Sequence, residues 1–242
     1  MSVAAAALTP DAAYLVTDGA YCDPVSGVLR CVSPKTLILP NISAAVTITG
    51  DSRLPLFLAA AIYEGGDADF DELKENLGER LRLMFDGSHR ELMDQAGVCR
   101  DGEILVAGWS PKKNAAASFL FTTGGNYGLA PWVPADSDSY GDQIALPADE
   151  DLVENMMQPW QGRINAGNAQ RWATELLEWQ RKKSWPVWRN GVESEIEWIG
   201  IGGFVQLTTI TPNAITTRVV HRWPGDKIGD RIGGAEPKRA AA

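Results

Sequence analysis

The first fifty residues consist of short apolar runs separated by turn-forming residues, and this pattern constrains the fold more than any other part of the chain. Runs rich in Val, Ile, Leu and Ala are broken at Thr9-Pro10-Asp11, at residues 23–27 and at Pro40-Asn41. Proline, glycine, asparagine and aspartate favour turns, whereas short β-branched and apolar runs favour strands. The chain is therefore predicted to begin with a series of short β-strands.

Ser2, Asp18 and Lys35 are the candidate catalytic residues of this strand-rich segment. Ser2 directly follows Met1, so its hydroxyl and its α-amine are both free once Met1 is removed. An α-amine has a pKa of about 8 and can act as general base for its own side chain. A nearby lysine lowers that pKa by like-charge repulsion, and an aspartate holds the lysine in place. The three residues together predict an N-terminal nucleophile.

The order and spacing of these segments resemble those of proteasome β-type subunits and related N-terminal nucleophile hydrolases. The matching segments are residues 2–8, 12–18, 35–39, 44–50 and 202–211. The resemblance implies an α+β fold, a four-layer αββα sandwich of two antiparallel sheets, with Ser2, Asp18 and Lys35 in one cleft. It also implies that backbone amides near Gly50 stabilise an oxyanion, and that the chain forms a homo-oligomer or a larger protein assembly.

Other positions depart from the family pattern. Ala20 stands where the family has arginine, and residues 197–201 lack the late Asp and the late Ser or Thr of the family. Residues 17–20 and 221–224 also resemble proteasome-like proteins of unknown role in tailed phages. We therefore predict a catalytically silent structural or assembly protein, such as a phage virion or tail component. The alternative is an active peptidase that uses Ser2 after removal of the initiator.

Helices and later hairpins are predicted from the spacing of apolar residues. The predicted helices are residues 54–63, 71–85, 90–96 and 165–183. Two further hairpins, at residues 104–121 and 204–221, contain paired apolar runs around a short polar turn. Strand groups that alternate with helix groups favour two packed sheets covered by helices.

The length and composition favour one domain. A chain of 242 residues that is 45% hydrophobic can bury one large core, and we assign this domain to residues 1–232. Residues 233–242 are polar or small and are predicted to form a flexible C-terminal tail. Residues 124–147 are rich in turn formers and are either an ordered excursion or a mobile flap.

Charge and motif content argue against several functions. A net charge of −9 disfavours nucleic-acid binding, which needs a basic surface. The sequence has no long apolar run and no secretory signal, so no membrane partner is expected, and the predicted location is the cytoplasm or a virion. His89 and His221 have no companions at ligand spacing, so neither a metal nor a cofactor is expected.

Cysteine and tryptophan usage leaves two alternatives open. Cys22, Cys31 and Cys99 are predicted to be reduced thiols, with a Cys22–Cys31 bridge as the alternative if their strands pair. Six tryptophans fall between residues 160 and 198, and they either fill a core or form an assembly surface.

Overall fold

The computed structural model describes most of the chain. The described residues are 3–23, 26–98, 101–124, 126–136, 141–147, 149–183, 185–189, 192–198, 200–234 and 238–239. The strands are β1 (Ala4–Leu8), β2 (Ala13–Asp18), β3 (Ala20–Cys22), β4 (Leu29–Val32), β5 (Thr36–Leu39), β6 (Ala44–Ile48), β7 (Glu103–Ser110), β8 (Ala115–Thr122), β9 (Ala135–Asp136), β10 (Gln143–Leu146), β11 (Trp185–Arg189), β12 (Val192–Trp198), β13 (Phe204–Ile210), β14 (Ile215–Arg222) and β15 (Lys238–Arg239).

The helices lie mainly in two groups. They are α1 (Leu54–Gly65), α2 (Phe70–Leu83), α3 (Arg90–Gln95), α4 (Glu150–Leu152), α5 (Gln158–Trp160) and α6 (Ala169–Arg181). Two π-helical turns (Met84–Ser88 and Val153–Met157) and three 3₁₀ turns (Pro40–Ile42, Asn126–Gly128 and Ile232–Gly234) complete the helical structure of the described residues.

Two five-stranded antiparallel sheets form the centre of the fold. The first sheet has the strand order β10-β1-β2-β13-β14, and the second has the order β5-β6-β7-β8-β9. A two-stranded sheet (β3-β4) and a three-stranded sheet (β11-β12-β15) accompany them. Since β1 pairs with both β2 and β10, the start of the chain lies inside a sheet and not at its edge.

A hydrophobic layer joins the two large sheets face to face. Ala4, Ala6 and Leu15 of the first sheet pack in one buried cluster with Leu105 and Leu120 of the second. Successive residues of a strand point to opposite faces, so these positions define the inner face of each sheet. The small alanine side chains of β1 occupy little space between the sheets.

Helices cover the outer face of each large sheet. On the second sheet, Leu73 and Leu77 of α2 pack in one cluster with Phe119 of β8. On the first sheet, Trp172 and Leu176 of α6 pack with residues of β1, β2 and β13. The predicted α+β class with two antiparallel sheets and helices is therefore confirmed.

Local hydrogen bonds set where the predicted helices begin. The helix predicted at 71–85 begins one residue earlier, because the Asp69 side chain accepts hydrogen bonds from the Asp71 and Glu72 amides. The helix predicted at 165–183 begins only at Ala169. There the Asn165 and Asn168 side chains bind nearby backbone amides, which favours a turn over a helix.

The turn-rich segment 124–147 contains a strand that its composition does not reveal. Gln143–Leu146 forms β10 and pairs with β1 as an outer strand of the first sheet. The segment also contributes β9, which pairs with β8. Part of this region is thus an ordered excursion that completes both sheets.

Cys22 and Cys31 are both free thiols, so the alternative of a bridge between them is wrong. The β3–β4 register places Tyr21 opposite Cys31 and Cys22 opposite Leu29. The register shifts between Tyr21 and Cys22, so the two cysteines are not cross-strand partners. Cys99 lies outside the described residues.

Some of the clustered tryptophans fill the core. Trp172 is buried between α6 and the first sheet, and Trp160 and Trp179 pack partly buried against the same cluster. In the described residues at the end of the chain, Lys238–Arg239 pairs with β12. No helix in the described ranges has both the length and the apolar character that crossing a membrane requires.

Candidate active site

Asp18 and Lys35 form a buried ion pair at the shared end of the two large sheets. Asp18 ends β2 in the first sheet, and Lys35 directly precedes β5 in the second. The Lys35 ammonium donates to Asp18 Oδ1 over 2.6 Å, and the two side chains are 2% and 0% exposed. Two of the three predicted site residues are therefore in direct contact, shielded from water.

The Asp18 carboxylate also organises the backbone around it. The Val3 N–H donates to Oδ1 over 3.1 Å, so this oxygen binds both Val3 and Lys35. The other oxygen accepts the Ala20 N–H at 3.0 Å and the Gly202 N–H at 3.3 Å. Charge-assisted hydrogen bonds of this kind fix a carboxylate in position.

Ser2, the third predicted residue, lies outside the described residues, as does Met1. The next residue, Val3, is described. Its backbone N–H donates a hydrogen bond to the Asp18 carboxylate, which also binds Lys35.

Ala20, which stands where the resembling family has arginine, is buried. It packs against Leu29 and Ile232 in a small hydrophobic cluster. Its backbone N–H donates to the Asp18 carboxylate, so this position contributes to the site through its backbone.

Tyr21 lies against Lys35, and Cys22 follows it in β3; the predicted site included neither residue. The Lys35 ammonium lies 5.0 Å from the centre of the Tyr21 ring, a distance suited to cation–π attraction. Burial raises the pKa of Tyr21 to about 12, and the Asp18 charge adds to the rise. Burial likewise raises the pKa of the Cys22 thiol to about 11, so this thiol is neutral at pH 7.

Gly50 follows β6 at the same end of the second sheet as Lys35. The register joins Thr36 to Thr47, so the beginning of β5 lies beside the end of β6. Gly50 has a φ of +109°, and a Cβ built on it would lie 2.4 Å from the carbonyl oxygen of Asp101. Only glycine fits at this position, because any side chain would collide with the Asp101 backbone.

The late glycine segment is held by a residue that the sequence prediction missed. Residues 197–201 lack the expected Asp, but Asp226 accepts the Gly203 N–H over 2.7 Å from a later loop. Arg181 of α6 binds Asp226 through both terminal nitrogens. Since Asp226 is 23 residues beyond Gly203, no local spacing signals the contact.

The two histidines lie in ordinary side-chain environments. His89 packs edge-on against Phe57, with 5.9 Å between ring centres. His221 Nε2 lies 3.5 Å from a carboxylate oxygen of Glu178, and its ring contacts Trp223. Within the described ranges, no three metal-binding side chains form a group that could hold an ion.

Comparison with solved structures identifies the fold. An Anbu (Gly-1) mutant from Hyphomicrobium sp. strain MC1 superimposes with a TM-score of 0.67 at 10% identity, over 94% of this chain and 89% of that one. Anbu (ancestral β-subunit) from Yersinia bercovieri gives a TM-score of 0.63 at 10% identity, over 90% and 87%. No family model matches the sequence, and no curated protein is detectably similar to it. The chain therefore has a proteasome-like fold, and at this identity the likeness concerns the fold alone.

Proposed function

We propose that this chain is an amide-bond hydrolase in which Ser2 becomes an N-terminal nucleophile after removal of Met1. The observation that carries the proposal is the buried Lys35–Asp18 pair, whose shared oxygen also binds the Val3 amide. Lys35 is thereby held on the same carboxylate oxygen as the amide of Val3, the residue that follows Ser2 in the chain.

The energetic character of the pair supports a chemical role. Removing two charges from water is costly, and well-packed apolar residues often give equal or greater stability. A buried ion pair is therefore weak evidence for a structural role. Its position beside the start of β1 is what an N-terminal general base requires.

The alternation of β1 supports the orientation that this role needs. Ala4 and Ala6 belong to the layer between the sheets. The proposed role requires Ser2 to share this inner face, which its even spacing from Ala4 and Ala6 along the chain allows. We accordingly propose the four-layer αββα sandwich of N-terminal nucleophile hydrolases, with the reaction cleft between the sheets above Lys35.

The proposed reaction follows from these groups. The Ser2 α-amine accepts the hydroxyl proton while Oγ attacks the amide carbonyl. The backbone N–H of Gly50 stabilises the oxyanion, and the amine returns its proton to the departing nitrogen as the C–N bond breaks. Water, deprotonated by the same amine, then attacks the ester carbonyl. The C–O bond to Ser2 breaks, the amine returns the proton to Oγ, and a carboxylic acid is released. Lys35 keeps the amine unprotonated, and Asp18 orients Lys35.

We also propose that copies of the chain assemble, as the sequence predicts. Leu56 and Tyr63 lie seven residues apart on one side of α1, and they are 73% and 71% exposed. Large apolar side chains on one exposed helix face are typical of protein contact surfaces.

A silent structural protein, for example in a phage virion or tail, stays the competing prediction. The two functions differ in what they expect of the N-terminus. A silent protein has no need of a free Ser2 amine, whereas the hydrolase requires it.

Intact mass and covalent labelling decide between them. We expect the purified chain to lack one methionine, and a peptide epoxyketone to label its N-terminal peptide through the Ser2 hydroxyl and amine. Ser2→Ala is the matched control, because alanine also permits Met1 removal but supplies no nucleophile. Retention of Met1, or equal labelling of both proteins, would refute the hydrolase.

A further inference from the structure

We infer that Asp226 is a positioning residue for the Ser2–Lys35–Asp18 site and acts through the backbone of Gly202 and Gly203. The inference rests on the proposed function, but part of its test is independent of activity.

Two consecutive amides connect the two carboxylates. The Gly202 N–H donates to Asp18 Oδ2 over 3.3 Å, and the Gly203 N–H donates to Asp226 Oδ2 over 2.7 Å. Asp226 thus holds the peptide group that follows Gly202, and the peptide group that precedes Gly202 binds the candidate site. A displacement of Asp226 is therefore transmitted to Asp18 through Gly202.

Asp226 is itself held firmly. Its side chain is 1% exposed, and Arg181 donates to its two oxygens over 2.9 and 2.5 Å. Arg181 also donates to the Ile201 carbonyl over 2.6 Å, and its guanidinium lies 4.7 Å from the centre of the Trp223 ring. A bidentate arginine of this kind fixes both the position and the orientation of a carboxylate.

The glycine segment is also anchored on the side of the candidate site. The Gly19 N–H donates to the Gly202 carbonyl over 3.1 Å, directly beside Asp18. Gly203 has a φ of +73°, a conformation that glycine adopts without strain. The segment is therefore bound by Asp226 on one side and by the end of β2 on the other.

The chemical consequence concerns the orientation of the Asp18 carboxylate and of Lys35, which it binds. The Gly202 N–H is one of four donors to this carboxylate among the described residues. Without Asp226, Gly202 is less firmly aimed, and the orientation of Asp18 and Lys35 that the proposed reaction needs is less well fixed.

The first test compares Asp226→Asn with Asp230→Asn in the full chain. Asp230 is exposed in the same loop, so its substitution removes an equal charge without touching Gly203. We expect Asp226→Asn to slow epoxyketone inactivation at least tenfold with inhibitor affinity within twofold. A wild-type rate of inactivation in this variant would overturn the inference.

Hydrogen exchange of the Gly202 amide provides a readout that needs no activity. We expect exchange at least tenfold faster in Asp226→Asn and unchanged in Asp230→Asn. Unchanged exchange in both variants overturns the inference, even when the wild type is labelled. An unlabelled wild type refutes the proposed hydrolase instead, and exchange then decides alone whether Asp226 orders this segment.

A milder variant covers the case in which Asp226→Asn does not fold. Arg181→Lys keeps a positive charge beside Asp226 but loses the two-pronged contact. We expect this variant to fold, to exchange the Gly202 amide faster and to label more slowly than the wild type. Wild-type exchange in folded Arg181→Lys would count against the inference.

Discussion

Gly202 lies so close to Asp226 that a Cβ built on the glycine would be 2.4 Å from the carboxylate oxygen Oδ2. Gly202→Ala must therefore displace a buried carboxylate and its arginine partner. Overpacking of this kind typically costs about 1–3 kcal/mol. We expect the free energy of unfolding in urea to fall by that amount. Gly225→Ala is the control, because no atom lies within 4 Å of its built Cβ, and it should unfold like the wild type.

The buried Asp18–Lys35 pair predicts that substitutions at its two positions have non-additive effects on the free energy of unfolding. Lys35→Met or Asp18→Asn alone leaves one buried group without its charged partner, which costs about 3–5 kcal/mol. The double variant should cost less than the sum of the two, because no unpaired charge remains. Chemical denaturation of the three variants gives the coupling energy directly.

The matched control is the exposed pair Lys112–Glu75, whose side chains are 64% and 63% exposed. Breaking it should leave the free energy of unfolding nearly unchanged, because water screens an exposed ion pair. If breaking either pair changed the free energy of unfolding equally, the burial of Asp18 and Lys35 would make no contribution to stability.

The raised pKa of Cys22 predicts that the free energy of unfolding depends on pH above about pH 9. Burial raises its pKa from 9.0 to about 11, so the folded chain favours the neutral thiol. The contribution of this neutral thiol to the free energy of unfolding is fully present below pH 9 and is lost as the pH rises towards 11. Compared with the wild type, Cys22→Ala should flatten the fall in unfolding free energy over this range.

Alkylation gives a second measure of the same property. Iodoacetamide reacts with the thiolate, so at pH 8 Cys22 should react roughly a hundredfold more slowly than an ordinary thiol. Peptide mass spectrometry resolves Cys22 from the exposed Cys31, which should be modified first. Rapid modification of Cys22 in the folded protein would contradict the burial argument.

The exposed apolar face of α1 predicts that charged substitutions there weaken the assembly of copies of the chain. Charged substitutions at Leu56 and Tyr63 should reduce the mass measured by light scattering if this face lies between copies. Leu83 is a suitable control, because it is also an exposed leucine but lies on α2. An unchanged mass in Leu56→Glu and Tyr63→Glu would place the assembly contact elsewhere.

Sequence reasoning succeeds where one short segment determines the geometry. Asp18 and Lys35 each lie at the end of a strand whose apolar pattern is clear, so their spacing along the chain becomes proximity in space. The hairpins β7–β8 and β13–β14 follow the same rule, because each pairs two neighbouring runs across a short turn.

The parts that escape prediction depend on distant contacts. β10 has only four residues, and it is a strand because the edge of β1 is available to pair with it. Asp226 reaches Gly203 through the path of a loop, which no residue spacing encodes. The packing of Ala20 against Leu29 and Ile232 likewise joins segments that are far apart in the chain.

The position of β1 between β2 and β10 has a consequence for the timing of biosynthesis. When the N-terminus emerges from the ribosome, only β2 is nearby in sequence, and an isolated two-stranded hairpin is marginally stable. At about 5–20 residues per second, β10 follows roughly 7–30 s later. During that interval one edge of β1 has no partner strand, and this is the period in which the proposed removal of Met1 from the nascent chain would take place.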